Sequence, residues 1–269
     1  MKVRSEMELG LRGKTALVGG ASSGIGRAIA TQLAEEGCSL LLWSRRQDEL
    51  EKVASELRAR YSTEVYIEAA DAYDSQSAKG LADAAKANLG YVDILVLNSG
   101  GPKTVDVLKV STTEWQRSIQ LLALTNIELA TLLIPNMIAN SWGRIIAVLS
   151  SGVRQPISNL SYSNGGRAVL STWMKTTASE VAKHGITVNG VLPGRIDTER
   201  MVELETASAS HQRLGVGTIR EARIAEIPCG RYGKPEELAA AVTFLSSEPA
   251  SYITGSFIAV DGGMLRDLR

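Results

Sequence analysis

The chain has 269 residues, of which 44% are hydrophobic, with 29 basic and 29 acidic side chains. This charge balance gives no reason to expect a nucleic acid or an anionic membrane as a partner. Two cysteines without metal-ligand spacing and only two histidines argue against a zinc site or a disulfide scaffold, and no metal site is predicted.

The length fits one α/β unit with a large buried core, so we expect residues 1–269 to form a single domain. The first residues mix charges before any apolar run, a pattern that excludes a signal peptide. No run of about 18 apolar residues, the length that a membrane helix needs, interrupts the sequence. We therefore expect a cytoplasmic protein without a membrane partner.

A strand, a glycine turn and a helix follow one another near the start of the chain. Residues 15–18 form an apolar run and residues 27–36 have a helical pattern. Glycines between them let backbone N–H groups approach a phosphate at a helix N-terminus. At the first βα turn of a βαβ series, this arrangement predicts binding of a dinucleotide pyrophosphate. The predicted contacts are Gly20, Ser22, Ser23, Gly24, Ile25 and Gly26.

The second predicted strand, 39–43, is apolar on both faces, as is typical of a parallel sheet covered by helices. It is followed by Ser44, Arg45 and Arg46. In dinucleotide folds a carboxylate at this point accepts from the ribose 2′-hydroxyl, whereas arginine accommodates a 2′-phosphate. The two arginines therefore favour NADP(H) over NAD(H). The alternative is a solvated basic start to the next helix, which is weaker because cations oppose the dipole there.

Two further strands are predicted to end where polar and small residues gather. Strand 65–70 is followed by Asp71, and strand 93–97 by Asn98, Ser99 and Gly100. Small residues after a central strand let the backbone approach a flat ligand, and the amide of Asn98 can join neighbouring strands. An ordinary Gly-Pro turn is the alternative interpretation.

The rest of the chain continues to alternate strands with helices. We predict strands over 144–149, 186–192 and 257–260, and helices over 114–141, about 162–184 and 235–247. This order predicts a doubly wound, Rossmann-like α/β fold with a seven-stranded, mainly parallel sheet and helices on both faces. Residues 199–226 lack a strand pattern and are predicted to form a lid or insertion over the carboxyl ends of the strands. Within it, His211 could donate a proton, but a solvent-facing histidine is the simpler interpretation.

These motifs resemble those of the short-chain dehydrogenase/reductase family over about residues 10–265. The glycine turn is similar to TGxxxGxG, with Gly19 in the Thr position. Segment 98–100 is similar to NAG, and Asp71 matches the acid usually found near the adenine. Segment 193–198 resembles the PGxxxT motif that holds the nicotinamide carboxamide. This match implies cofactor contacts from Pro193, Gly194, Ile196 and Thr198.

The end of the chain makes the resemblance more specific. Segments 227–231 and 260–263 are similar to the tail of 3-oxoacyl-carrier-protein reductases. The family implies a small-molecule carbonyl or alcohol substrate. It also implies a homotetramer or homodimer packed through the two long helices and the last strand.

The resemblance implies four catalytic positions, and three of them carry other residues here. In the family a Tyr protonates the substrate oxygen, a Lys four residues later lowers the pKa of that Tyr and binds the ribose, a Ser holds the oxygen and an Asn supports a proton relay. Ser150 occupies the Ser position. The other positions hold Ser163 for Tyr, Arg167 for Lys and Leu122 for Asn. Tyr162 stands one residue early, and it could replace the missing acid only if the helix start is shifted.

Two functions stay open at this point. The first is an NADP-linked oxidoreductase that interconverts a carbonyl and an alcohol, with Ser150, Ser163, Tyr162 and Arg167 around the reacting oxygen and Arg167 also on the cofactor ribose. The intact cofactor motifs favour it, and segment 163–167 resembles an SNxxR string that a subset of reductase-like members carries in place of YxxxK. The second is an NADP-binding protein with little or no turnover, in a sensing or assembly role. The altered catalytic positions favour that alternative.

Overall fold

The centre of the fold is a parallel sheet. The structure, a computed structural model, describes residues 7–268. Its strands are Thr15–Gly19 (β1), Ser39–Ser44 (β2), Val65–Ala69 (β3), Ile94–Leu97 (β4), Gly143–Val148 (β5), Ile186–Pro193 (β6) and Phe257–Val260 (β7). They lie in the order β3-β2-β1-β4-β5-β6-β7. Every neighbouring pair is parallel, so the sheet predicted as mainly parallel is parallel throughout.

Helices cover both faces of this sheet. The helices are Gly24–Glu35 (α1), Gln47–Tyr61 (α2), Ser77–Leu89 (α3), Thr112–Ile119 (α4), Thr125–Ala139 (α5), Ser161–Val181 (α6), Glu199–Gln212 (α7), Val216–Ala225 (α8) and Pro235–Leu245 (α9). Of these, α7 and α8 lie at the carboxyl edge of the sheet instead. On one face Leu33, Val53 and Leu238 bring α1, α2 and α9 into a single buried cluster. On the other face α3, α5 and α6 pack through Leu81, Leu129, Met174 and their neighbours. Because both faces are covered, β1, β4 and β5 are buried along their whole length.

The long helix predicted over 114–141 contains an irregular turn. It runs from residue 112 to 139, with a π-helical turn at Gln120–Leu124 between α4 and α5. The Thr125 amide donates to the Gln120 carbonyl, a bond that spans five residues. The spacing of apolar residues does not reveal this π-helical turn, because a single wide turn leaves the apolar stripe of the helix continuous. By length and composition the combined helix could cross a membrane, but half of its most apolar window is buried inside the protein, as in a core helix.

The segment without a strand pattern, 199–226, consists of α7 and α8. Its first helix begins directly after the loop that follows β6, and the Oγ of Thr198 caps it by accepting from the Met201 amide at 3.3 Å. The segment therefore starts at the carboxyl edge of the sheet.

The direction of strand addition reverses between β1 and β4, and ligands bind outside the carboxyl ends of strands at such a point. The turns after these two strands are joined there. The Asn98 Nδ2 donates to the Gly19 carbonyl at 3.0 Å. The amide thus has the strand-joining role that the sequence predicts for it.

Candidate active site

An open cleft of about 700 Å³ lies along the carboxyl edge of the sheet. It is lined by nearly all the residues predicted to bind a cofactor. These are Gly20, Ser22, Ser23, Ile25, Gly26, Ser44, Arg45, Arg46, Asp71, Asn98, Ser99, Gly100, Arg167, Pro193, Gly194, Ile196 and Thr198. One continuous surface thus joins the glycine turn to the positions expected around the reacting oxygen.

The glycine turn has room for backbone only. Gly20 adopts a left-handed φ of +60°, which disfavours a side chain there. A Cβ added to Gly26 would collide with the Gly20 carbonyl. This bare turn leads into the N-terminus of α1, so it fits the close approach of a pyrophosphate. Gly24 is not part of the cleft wall; a Cβ there would lie 3.3 Å from the Thr198 Cγ2, so this glycine lets the turn pack against the loop after β6.

A cationic pocket stands beside that turn. The Arg46 Nη2 donates to the Ser23 Oγ at 2.7 Å and lies 3.3 Å from the Ser22 Oγ, while the Arg46 amide donates to the Ser44 Oγ at 3.2 Å. The guanidinium is therefore held over the glycine turn instead of pointing freely into solvent. A guanidinium with adjacent hydroxyls suits a phosphate group. Asp71, which follows the neighbouring strand β3 and also lines the cleft, accepts from the Tyr73 amide at 3.1 Å.

The other end of the cleft is built by the turns after β4 and β6. The Ser99 Oγ donates to the Leu121 carbonyl at 3.1 Å and ties the β4 turn to the π-helical turn. The Gly194 amide donates to the Val260 carbonyl at 3.0 Å, and a Cβ on Gly194 would lie 2.6 Å from the Asp261 Cα. The loop 193–198 is thereby pressed against β7, with Ile196 buried beneath it.

Ser150, Ser163 and Arg167 meet at this end. All three line the cleft. The Ser150 Oγ accepts from the Gly152 amide at 3.0 Å. The Arg167 Nη1 donates to the Val148 carbonyl at 2.6 Å, and its Nε lies 3.4 Å from the Ser163 Oγ. Burial lowers the pKa of Arg167 to about 10, so the side chain is still a cation at neutral pH.

The prediction of Tyr162 as a catalytic residue is corrected by its position. Its ring is buried, packs edge-on against Trp115 with centroids 5.1 Å apart, and does not line the cleft. The Tyr162 hydroxyl accepts from the Ser111 amide at 2.8 Å. One residue along a helix turns a side chain by about 100°, so the helix that points Ser163 into the cleft turns Tyr162 away. Leu122 is likewise buried and cannot act as a polar relay.

Several residues that line the cleft were not predicted from the sequence. Trp43, Tyr73, Lys103, Leu121, Leu160 and Arg200 also line it. Trp43 lies near the end of the apolar strand β2, and the other five residues lie in loops or on helices outside the family motifs. No local sequence pattern therefore marks them as cleft residues. Within segment 199–226, Glu199, Arg200, Met201, Glu203 and Leu204 line the cleft, whereas His211 is exposed and does not line it. Both cysteines are free, Cys38 buried and Cys229 exposed.

The fold and the cleft define a dinucleotide-binding protein of the doubly wound class. A family model described as enoyl-(acyl carrier protein) reductase matches residues 20–265. The 3-oxoacyl-acyl-carrier-protein reductase of Aquifex aeolicus is 34% identical over 260 residues, which cover 96% of this chain and 100% of that protein. The NADPH-dependent reductase BacG of Bacillus subtilis is 33% identical over 261 residues, 95% of this chain and 99% of its own.

Solved structures show the same similarity. The L-sorbose reductase of Gluconobacter frateurii, in a crystal structure with NADPH and L-sorbose, superposes with a TM-score of 0.92 at 33% identity, covering 97% of this chain and 100% of that one. This chain belongs to the short-chain dehydrogenase/reductase family, in the branch that resembles 3-oxoacyl-carrier-protein reductases. The prediction of an oxidoreductase of this family is confirmed, and the alternative of a binding protein without turnover is not favoured.

Proposed function

We propose that this protein reduces a small carbonyl compound to an alcohol with NADPH, and catalyses the reverse reaction with NADP⁺. The observation that carries the proposal is the continuity of the cleft from the Arg46 pocket to Ser150, Ser163 and Arg167. A protein that only bound the nucleotide would not need hydroxyl groups and a cation at the far end. The NADPH-dependent relatives support the choice of cofactor.

The cofactor would be held by backbone and cations together. The glycine turn offers amides to the pyrophosphate, and Arg46 with Ser22 and Ser23 offers donors to a 2′-phosphate. Asn98, Ser99 and Arg167 would face the ribose next to the nicotinamide, and loop 193–198 would hold its carboxamide. Bound there, NADPH supplies the hydride that reduces the carbonyl carbon.

The proton has to come from the protein or its water. Ser150 and Ser163 are the hydroxyl donors beside Arg167, and both can hydrogen-bond to a substrate oxygen. Because the Arg167 Nε donates to the Ser163 Oγ, the Ser163 proton is directed away from the arginine and toward the cleft. A cation next to the oxygen also stabilises the negative charge that develops on it. We assign Ser163 as the group that passes its proton to the substrate oxygen, after which water returns a proton to Ser163. We assign Ser150 as the group that holds the substrate oxygen.

We also propose one domain with 199–226 as its lid, a homo-oligomer and a cytoplasmic location. Both long helices leave apolar side chains exposed, with Leu124, Leu132 and Val169 each more than 40% accessible. Such side chains on adjacent helices suit a two-fold interface between copies of the chain.

The test is NADPH oxidation against a panel of carbonyl compounds, including a 3-oxoacyl thioester and L-sorbose because relatives carry those names. We expect turnover of at least one class, abolished in Ser150→Ala. If a folded protein binds NADPH by calorimetry and leaves the whole panel unreduced, the proposal fails.

A further inference from the structure

A buried acidic side chain stands behind the lid wall of the cleft. Glu205, on α7, is only 1% exposed. The Tyr232 hydroxyl donates to its Oε1 at 2.6 Å, and the Nη1 of Arg220, on α8, lies 3.5 Å from its Oε2. Arg220 also binds the Oδ2 of Asp197 at 2.8 Å and stacks over the Tyr232 ring at 4.6 Å. A buried carboxylate needs such partners because its desolvation is otherwise uncompensated.

These four residues join four separate segments. Asp197 lies in loop 193–198, Glu205 on α7, Arg220 on α8, and Tyr232 in the stretch before α9. The loop and this stretch also pair directly, since the Asp197 amide donates to the Gly233 carbonyl at 2.9 Å. The cluster thus ties both lid helices to the loop that lines the nicotinamide end of the cleft.

Apolar burial contributes little to holding the lid. The buried residues of α7 and α8 are Glu205, Ala209 and Ile219, and Glu205 alone among them carries a charge. Both helices are otherwise exposed or half-buried, whereas α1 buries a broad apolar face. Met201 and Leu204, which line the cleft, lie within a turn of Glu205 on the same helix. Their position over the cleft therefore depends mainly on polar contacts. The Glu205 cluster is the buried part of these contacts; the others include the Arg195–Glu226 ion pair at 2.7 Å and the bond from the Arg200 Nη2 to the Pro102 carbonyl at 3.1 Å.

We propose that Glu205, with Tyr232, Arg220 and Asp197, forms a latch that positions α7 over the substrate half of the cleft, so that Glu205 is a positioning residue for the carbonyl substrate. That the substrate is a carbonyl compound rests on the proposed function; the latch itself does not. None of the four side chains hydrogen-bonds to Ser150, Ser163 or Arg167. Loosening the latch lowers the fraction of molecules with a closed lid, and the apparent substrate affinity falls by that fraction while the chemical step is unchanged.

The experiment compares Tyr232→Phe and Glu205→Gln with matched controls. Tyr252→Phe changes a fully exposed ring, and Glu221→Gln removes an exposed charge from the lid itself. Tyr232→Phe leaves the buried carboxylate with Arg220 alone. We expect amide hydrogen exchange over 199–226 to rise by about tenfold in both latch variants, as for a segment whose local opening has become easier. We expect the KM for the carbonyl substrate to rise at least about fivefold, with kcat and the Kd for NADPH changed less than about twofold.

The outcomes separate the latch from the catalytic proposal. Unchanged lid exchange in both latch variants overturns the latch, as does a fall in kcat with KM unchanged, or an equal effect in the controls. If the wild type reduces no carbonyl, the proposed function fails while lid exchange still decides the latch. If the buried variants do not fold, Arg220→Gln at the half-exposed side of the cluster decides it by the same exchange measurement.

Discussion

The Nε of Arg167 lies 3.4 Å from the Oγ of Ser163, and the two residues are one helical turn apart on α6. Residues at this spacing share a helix face, so both side chains reach the cleft together. The Val148 carbonyl fixes the same guanidinium at 2.6 Å from its Nη1. The pair is therefore a positioned hydroxyl and cation, where the family motif has a phenol and an ammonium.

Replacing Ser163 tests its role in proton transfer. Ser163→Ala removes the hydroxyl, and we expect kcat to fall by about 10²- to 10⁴-fold, the usual worth of general acid catalysis. The Kd for NADPH should not change, which calorimetric titration measures. Ser179→Ala, an exposed serine on the same helix, is the control. Full activity in Ser163→Ala beside an inactive Ser150→Ala would instead assign the proton to water held by Ser150 and Arg167.

Two replacements of Arg167 separate charge from geometry. Arg167→Ala removes the cation, and we expect kcat to fall by about 10²-fold or more because developing charge on the oxygen is no longer stabilised. Arg167→Lys keeps the charge but loses the planar fork that binds Val148 and Ser163 at once, so an intermediate rate is expected. Steady-state kinetics at pH 7 measures both. Equal rates in Arg167→Ala and Arg167→Lys would show that a positive charge at position 167 does not by itself support turnover.

Replacing Arg46 tests the cofactor preference. Arg46→Ala should weaken NADPH binding at least about tenfold, or about 1.4 kcal/mol, and leave NADH binding unchanged. Arg45→Ala is the matched comparison, and we expect a smaller effect because the two serines of the glycine turn hold Arg46. Titration calorimetry with both nucleotides gives the four affinities. Unchanged NADPH affinity in both variants would refute the 2′-phosphate pocket.

The succession of strands and helices along the chain, and most of the residues that line the cleft, could be predicted from the sequence because glycine turns and short apolar strands are local signals. Gly20 needed no tertiary information, since the motif encodes its left-handed backbone conformation. Tyr162 shows what the sequence could not predict. Sequence distance placed it one residue from a catalytic position, but only the register of α6 against Trp115 determines which side chain enters the cleft. The Glu205 cluster was out of reach because it joins residues up to 35 positions apart, from Asp197 to Tyr232, without a motif.

A charge on the exposed face of α5 tests the assembly. Leu132 is 44% exposed. Placing a glutamate at a buried two-fold interface would bring two like charges together without partners, so we expect Leu132→Glu to shift the protein toward monomers. Light scattering at micromolar concentration measures this, with Ala59→Glu, at an exposed position of α2 on the opposite face of the sheet, as the charge control. A wild-type mass equal to the 28.8 kDa of one chain would contradict the oligomer.

The Tyr162 hydroxyl has a structural role. Tyr162→Phe removes the acceptor of the Ser111 amide, which begins α4. Ser111 is exposed, so water can replace the lost acceptor, and the free energy of unfolding in urea should fall by about 0.5–1.5 kcal/mol, the net contribution of one hydrogen bond. Because the ring points away from the cleft, kcat should change less than about threefold, far below the effect of losing a general acid. Tyr91→Phe, on a ring 43% exposed, is the control for loss of a phenol. A Tyr162→Phe variant of unaltered stability that has lost its turnover would restore Tyr162 as the proton donor and require α6 to rotate during the reaction.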